Sequence, residues 1–128
     1  MKTYYTVALS MLAGAAVGAV ALQGLHAQAK PTAYVIVEID VTNQDSYVKE
    51  YVPLASKALL DGGAKTLARG GKTVSIEGAP PKSRIAIHAF ENLDKAQAAF
   101  TSAAYNESRT IGNKYAKFRT FAVEGLSQ

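Results

Sequence analysis

The run Ala33-Tyr-Val-Ile-Val-Glu-Ile-Asp-Val41 constrains this chain more than any other stretch. Its β-branched side chains suit a pleated, packed surface, and the segment reads as a strand. Successive side chains of a strand point to opposite faces, so Val35, Val37, Ile39 and Val41 share one face and Tyr34 and Ile36 the other. Both faces are apolar. Any fold built on this strand must therefore cover it twice.

The remaining sequence supplies helices for one cover only. Thr42-Asn43 offers an N-cap, with Asp45 in the first turn, where a carboxylate suits the free N–H groups. Tyr47, Tyr51, Leu54, Ala58 and Leu59 recur at helical spacing as far as Asp61, Pro53 predicts a kink or break near Tyr51-Val52, and Gly62-Gly63 ends the helix. Lys65 to Arg69 reads as a second strand, with a bend or bulge at Gly70-Gly71 and an extension through Thr73 to Ile76. Gly78-Ala-Pro-Pro81 is a loop, and Arg84 to Phe90 alternates as a third strand. Asn92 caps a second helix with Leu93, Ala96, Ala99 and Phe100 inward. Further turns follow over Ala103 to Ile111, stopped by Gly112, and Lys117 to Glu124 is the last strand.

Strand, helix, strand, strand, helix, strand gives an α+β fold. With right-handed crossovers it becomes the ferredoxin-like βαββαβ arrangement, a four-stranded antiparallel sheet with its helices on one face. The second apolar face then has no cover from its own chain and is expected to be a partner site. Two copies joined through it form a dimeric α/β barrel, so a homodimer is expected.

Ahead of the domain, Met1-Lys2 is followed by a charge-free run from Tyr4 to Leu22 and by Ala27-Gln-Ala29, small residues where a signal peptidase cuts. Residues 1–29 are expected to be a secretory signal peptide, leaving a domain of residues 30–128 in the periplasm or the medium with no membrane attachment after cleavage; the rival reading is an uncleaved membrane anchor, since about twenty apolar residues can span a bilayer. The chain has no cysteine, which excludes disulfides, thiolate zinc sites, a cysteine nucleophile and a lipid-anchored cysteine. ATP and reduced nicotinamides are scarce outside the cytoplasm, and no cofactor is expected.

The net charge of +4 is spread among interspersed acids, and no Gly-Lys-Ser/Thr follows the glycine pairs, so neither a nucleic acid nor a phosphate loop is expected. His88, alone after the signal segment, cannot supply a two-histidine metal site, and no metal is expected. Paired with Glu38 from the neighbouring strand, it would make an acid–base dyad if the two shared a face; otherwise it is part of a cross-strand hydrogen bond. Arg69, beside two glycines, reads either as a bidentate clamp for a carboxylate or enolate or as a salt bridge to Asp40 or Glu77. Ser102, Tyr105 and Arg109 are helically spaced: the tyrosine either bonds a ligand carbonyl or packs, and the serine either lines a site or caps the turn.

Ala33 to Thr42, the bend Leu67-Ala-Arg-Gly-Gly71, and Phe100-Thr-Ser-Ala-Ala-Tyr105 with Arg109 four residues on resemble the domain-of-unknown-function 1330 family, across roughly Ala33 to Gly125. It departs from that pattern at His88 and at Ala104, where members often carry a carboxylate. The resemblance implies a dimeric α/β barrel, a superfamily that includes cofactor-free monooxygenases and small-lactone isomerases, with a pocket between sheet and helices in each protomer. The expectation is an exported small-molecule-binding domain with a pocket formed by Tyr34, Glu38, Arg69, His88 and Tyr105. The alternatives are a cofactor-free enzyme on a small oxygenated or aromatic compound, with His88 as base, and a structural or stress-related dimer without ligand.

Overall fold

The structure, a computed structural model, describes residues 30–127, so the expected signal peptide lies outside the described residues. Strand β1 (Ala33–Val41) buries Ala33, Val35, Val37 and Ile39 toward the helices and leaves Tyr34, Ile36 and Glu38 on the other side. The Asn43 side chain accepts a hydrogen bond from the Ser46 amide at 3.2 Å and starts α1 (Gln44–Ser46). A π-helical turn over Tyr47–Tyr51 follows, and then α2 (Val52–Asp61), with Pro53 in its first turn. The break expected near Tyr51-Val52 is this wide turn. Each residue of a π turn advances less around the axis than in an α turn, so the helix beyond is rotated. Ala55 faces the core in place of Leu54, which the spacing had placed there and which is exposed.

Strands β2 (Lys65–Arg69) and β3 (Arg84–Phe90) come next, then α3 (Leu93–Phe100), α4 (Ala103–Gly112) and β4 (Ala116–Glu124). The side chain of Asn92 caps α3 and that of Ser102 caps α4, each accepting a backbone N–H three residues on. The sheet order is β2-β3-β1-β4, with every neighbouring pair antiparallel, which is the ferredoxin-like arrangement. Among the described residues no helix is long and apolar enough to cross a membrane.

Two details of β2 depart from expectation. Its irregularity falls between Thr66 and Ala68, making Leu67 the extra residue, and not at Gly70-Gly71. Nor do Thr73 to Ile76 form a strand: residues 70–83 are exposed, with Val74 73% and Ile76 94% accessible. A strand needs a hydrogen-bonding neighbour, and β3 begins only at Arg84, after two prolines that cannot join a ladder.

Candidate functional site

A cleft opens between the sheet and the first helical segment. It is about 390 Å³ counted out to its mouth. Its apolar floor includes Val37, Ile39 and Ala86, and its polar groups are Tyr47, Tyr51, Ser56, Arg69, Arg84, His88 and Tyr105. Among the described residues no carboxylate lines it.

Strand pairing explains who is present. Residues directly opposite in an antiparallel ladder share a face, and Arg84 and His88 stand opposite Ile39 and Val35, both turned to the helices. Arg69 arrives there through the irregularity in β2. Thr66 lies opposite His88 on the helix side, and two residues later a regular strand would have returned to that side at Ala68. The extra Leu67 shifts the phase, placing Ala68 on the far face beside Ile87 and Arg69 on the cleft side beside Ala86. Gly70, at φ +67°, then lets the chain pass against the Arg84 guanidinium, where a Cβ would come within 2.9 Å of Cζ.

Arg69 Nη1 donates to Ser56 Oγ at 2.9 Å, and among the described residues neither Asp40 nor Glu77 pairs with it, so of its two readings the salt bridge is not formed. Arg84 carries its guanidinium 5.3 Å from the centroid of the Tyr47 ring, and its buried Nε has no hydrogen-bond partner. His88 is buried, with Nδ1 3.0 Å from the Thr66 hydroxyl. Burial, and then the nearby Arg69 charge, hold its pKa below the ordinary value of 6.5, so the ring is neutral at pH 7. Burial pushes the pKa of Tyr47 and of Tyr51 up, the Arg84 charge opposing it at Tyr47 and Tyr105 adding to it at both, and the two phenols stay protonated.

Of the expected site residues, Arg69, His88 and Tyr105 meet in the cleft; Tyr34 and Glu38 do not. They project from the opposite face, where Glu38 sits beside Ile85 and accepts a hydrogen bond from Arg119 Nη1 at 2.6 Å. His88 shares the helix-side face of its ladder partner Val35, and Glu38 lies on the opposite face of β1, so the Glu38–His88 dyad does not form. Ser102 caps α4, and Arg109 stacks on Phe118 at 3.9 Å while its Nη1 lies 3.5 Å from the Tyr105 hydroxyl, outside the lining. Sequence reasoning missed Arg84, Tyr47 and Tyr51. Arg84 was detectable, because it precedes His88 by four residues on one strand and must share its face.

The family model described as domain of unknown function (DUF1330) matches residues 32–126. The chain belongs to the DUF1330 family. No curated protein matches it. Among solved structures, this DUF1330 chain is similar to a protein of unknown function from Rhodopseudomonas palustris, at 10% identity and a TM-score of 0.61, covering 77% of this chain and 85% of that one. It is also similar to SnoaB, a cofactor-independent oxygenase from Streptomyces nogalater, at 8% identity and a TM-score of 0.55, covering 77% and 96%. A conserved protein of unknown function from Bacteroides thetaiotaomicron, described as a possible oxidoreductase, shares 17% identity with a TM-score of 0.52, covering 76% and 100%. At such identities the likeness is one of fold, and the DUF1330 cleft must be read from its own residues.

Proposed function

We propose that this is an exported, homodimeric small-molecule-binding protein whose cleft takes a small organic anion, a carboxylate, enolate or phenolate on a planar body. One observation carries the reading: two guanidinium groups, Arg69 and Arg84, share a buried-floored cleft with no carboxylate, and one of them keeps an unpartnered buried N–H. Buried donors in native proteins are nearly always bonded, and a planar guanidinium matches a carboxylate through two parallel bonds. The anionic head would sit between the two guanidinium groups. The ligand body would lie toward the mouth against Tyr47, whose ring already stacks under Arg84. The homodimer is supported by the uncovered face, where Ile36, Ile85, Ile87, Phe121 and Val123 form an apolar surface across three strands.

A second reading, a cofactor-free enzyme, is favoured by His88. In the tautomer with Nδ1–H donating to Thr66, Nε2 of a neutral imidazole is a free base, beside two cations that would hold the resulting enolate. SnoaB is described as working without a cofactor on this fold.

Thermal unfolding with benzoate and with benzamide tests the anion site, since the two share shape and differ in charge. Benzoate is expected to raise the melting temperature and benzamide not, and Arg84→Gln is expected to weaken benzoate binding by about tenfold to a hundredfold, the loss of a charge-assisted hydrogen bond. Equal responses to both compounds, or an unchanged response in the variant, would overturn it.

A further inference from the structure

Residues 70–83 leave the sheet as an arm anchored only at its ends. At one end Gly70 N–H donates to the Ile85 carbonyl; at the other Ser83 Oγ accepts from the Val41 amide and donates to the Ile39 carbonyl. Between them the chain runs through Thr73-Val-Ser-Ile-Glu77, a strand-like alternation whose two aliphatic side chains stand in solvent.

The rest of the molecule holds a matching vacancy in shape. β4 is an edge strand with one side unpaired, and beneath it an apolar groove of about 240 Å³ runs between α3 and β4, lined by Val35, Leu93, Ala96, Phe100, Thr120 and Ala122 among others. Within one sheet β2 and β4 are the two edges and run antiparallel to each other. If a second copy covers the bare face through a two-fold axis parallel to the strands, β2 of one protomer comes to lie over β4 of its partner. The two are then antiparallel, and the same happens at both seams. The arm continues β2 along that seam, and both free edges disappear.

We propose that Thr73–Glu77 adds as a strand to the edge of β4 in a second copy of this chain, seating Val74 and Ile76 in the partner's groove between α3 and β4. The proposal rests on the homodimer reading above and fixes its register. Val74 falls beside Ala122 and Ile76 beside Thr120, both on the groove side; Ser75 falls beside Phe121 and Glu77 beside Arg119 on the other. On that face Glu77 falls beside Arg119, which bonds Glu38 of its own protomer but stays largely exposed, with Lys117 two residues before it. A shift by one residue would put Val74 and Ile76 outside the groove and bring Glu77 onto its apolar side.

The natural chain has no cysteine, which makes a disulfide trap clean. A Val74→Cys/Ala122→Cys double variant, and independently Ile76→Cys/Thr120→Cys, are oxidised and measured by non-reducing electrophoresis, with sedimentation of the reduced proteins alongside. All four positions are exposed, so folding is not at stake. Each pair is expected to give a covalent dimer of doubled mass, which neither of its single variants reaches. A sedimenting dimer that does not cross-link would overturn the arm's placement and leave the dimer standing. A monomer in sedimentation would overturn the dimer and the arm together, and a ladder of higher species would exclude the closed two-fold pairing.

Discussion

Toward its helices the sheet presents Arg69, Arg84 and His88 among Val37, Ile39 and three tyrosines. On its other side the same strands present Ile36, Ile85, Ile87, Phe121 and Val123 around one ion pair, Glu38–Arg119. The polar groups are gathered where the surface is concave and the apolar ones where it is open. A buried N–H such as Arg84 Nε is costly unless something bonds it, and a concave site lets a small anion do so. An open aliphatic surface needs the reverse, a partner as wide as itself. One alternating pattern thus gives a single layer two different demands.

The largest expected effect breaks the open side. Ile87→Asp puts a carboxylate in the middle of the bare face, next to Ile36, without touching the helix-side core. Burying an unpaired charge in the interface is expected to weaken dimerisation at least about 100-fold, roughly 3 kcal/mol. Sedimentation at micromolar concentration reads this, with circular dichroism confirming a folded protomer. A dimer that survives would move the interface elsewhere.

The fold was legible because its signals are local and repeated. The alternation of β1, the caps Asn43 and Asn92, and Gly62-Gly63 each act over a few residues, and all agree on one order. The site was only half legible. Arg69 reaches the cleft through the extra residue at Leu67, a slip that no composition rule announces, and Leu54 left the core because a π turn rotated its helix. Glu38 was misplaced for a simpler reason: centre-to-centre matching of two strands does not say which face each residue occupies, whereas parity within the β1–β3 ladder does. Thr73 to Ile76 carried the right strand pattern, but β3, the only strand paired with β2, begins at Arg84 and leaves this stretch no neighbour in its own ladder.

On the cleft side a smaller effect is expected from His88→Gln. Because burial and Arg69 depress the folded-state pKa below the unfolded value of 6.5, the unfolded chain takes up the proton first as pH falls. This contribution to stability is therefore full above about pH 6.5, declines as pH drops toward the folded pKa, and levels off below it, at about 1.4 kcal/mol per unit of depression. Denaturant titrations from pH 7.5 to 4.5 are expected to show this slope in the natural protein and to lose it in His88→Gln. A slope that persists unchanged would assign it to other groups.

The smallest effect separates the two faces most directly. Glu38 bonds Arg119 at 2.6 Å on the bare side, whereas His88 is turned to the helices and faces Thr66 and Arg69. A carboxylate close to an imidazole raises its pKa, yet burial and Arg69 push that of His88 down. Glu38→Gln is therefore expected to leave the His88 titration midpoint, followed by its imidazole proton resonances, where it was. Protomer stability should change by less than about 1 kcal/mol, as for other ion pairs with an exposed partner. A midpoint that falls in the variant would mean that the carboxylate reaches the ring through the sheet, and the division of labour between the two faces would fail with it.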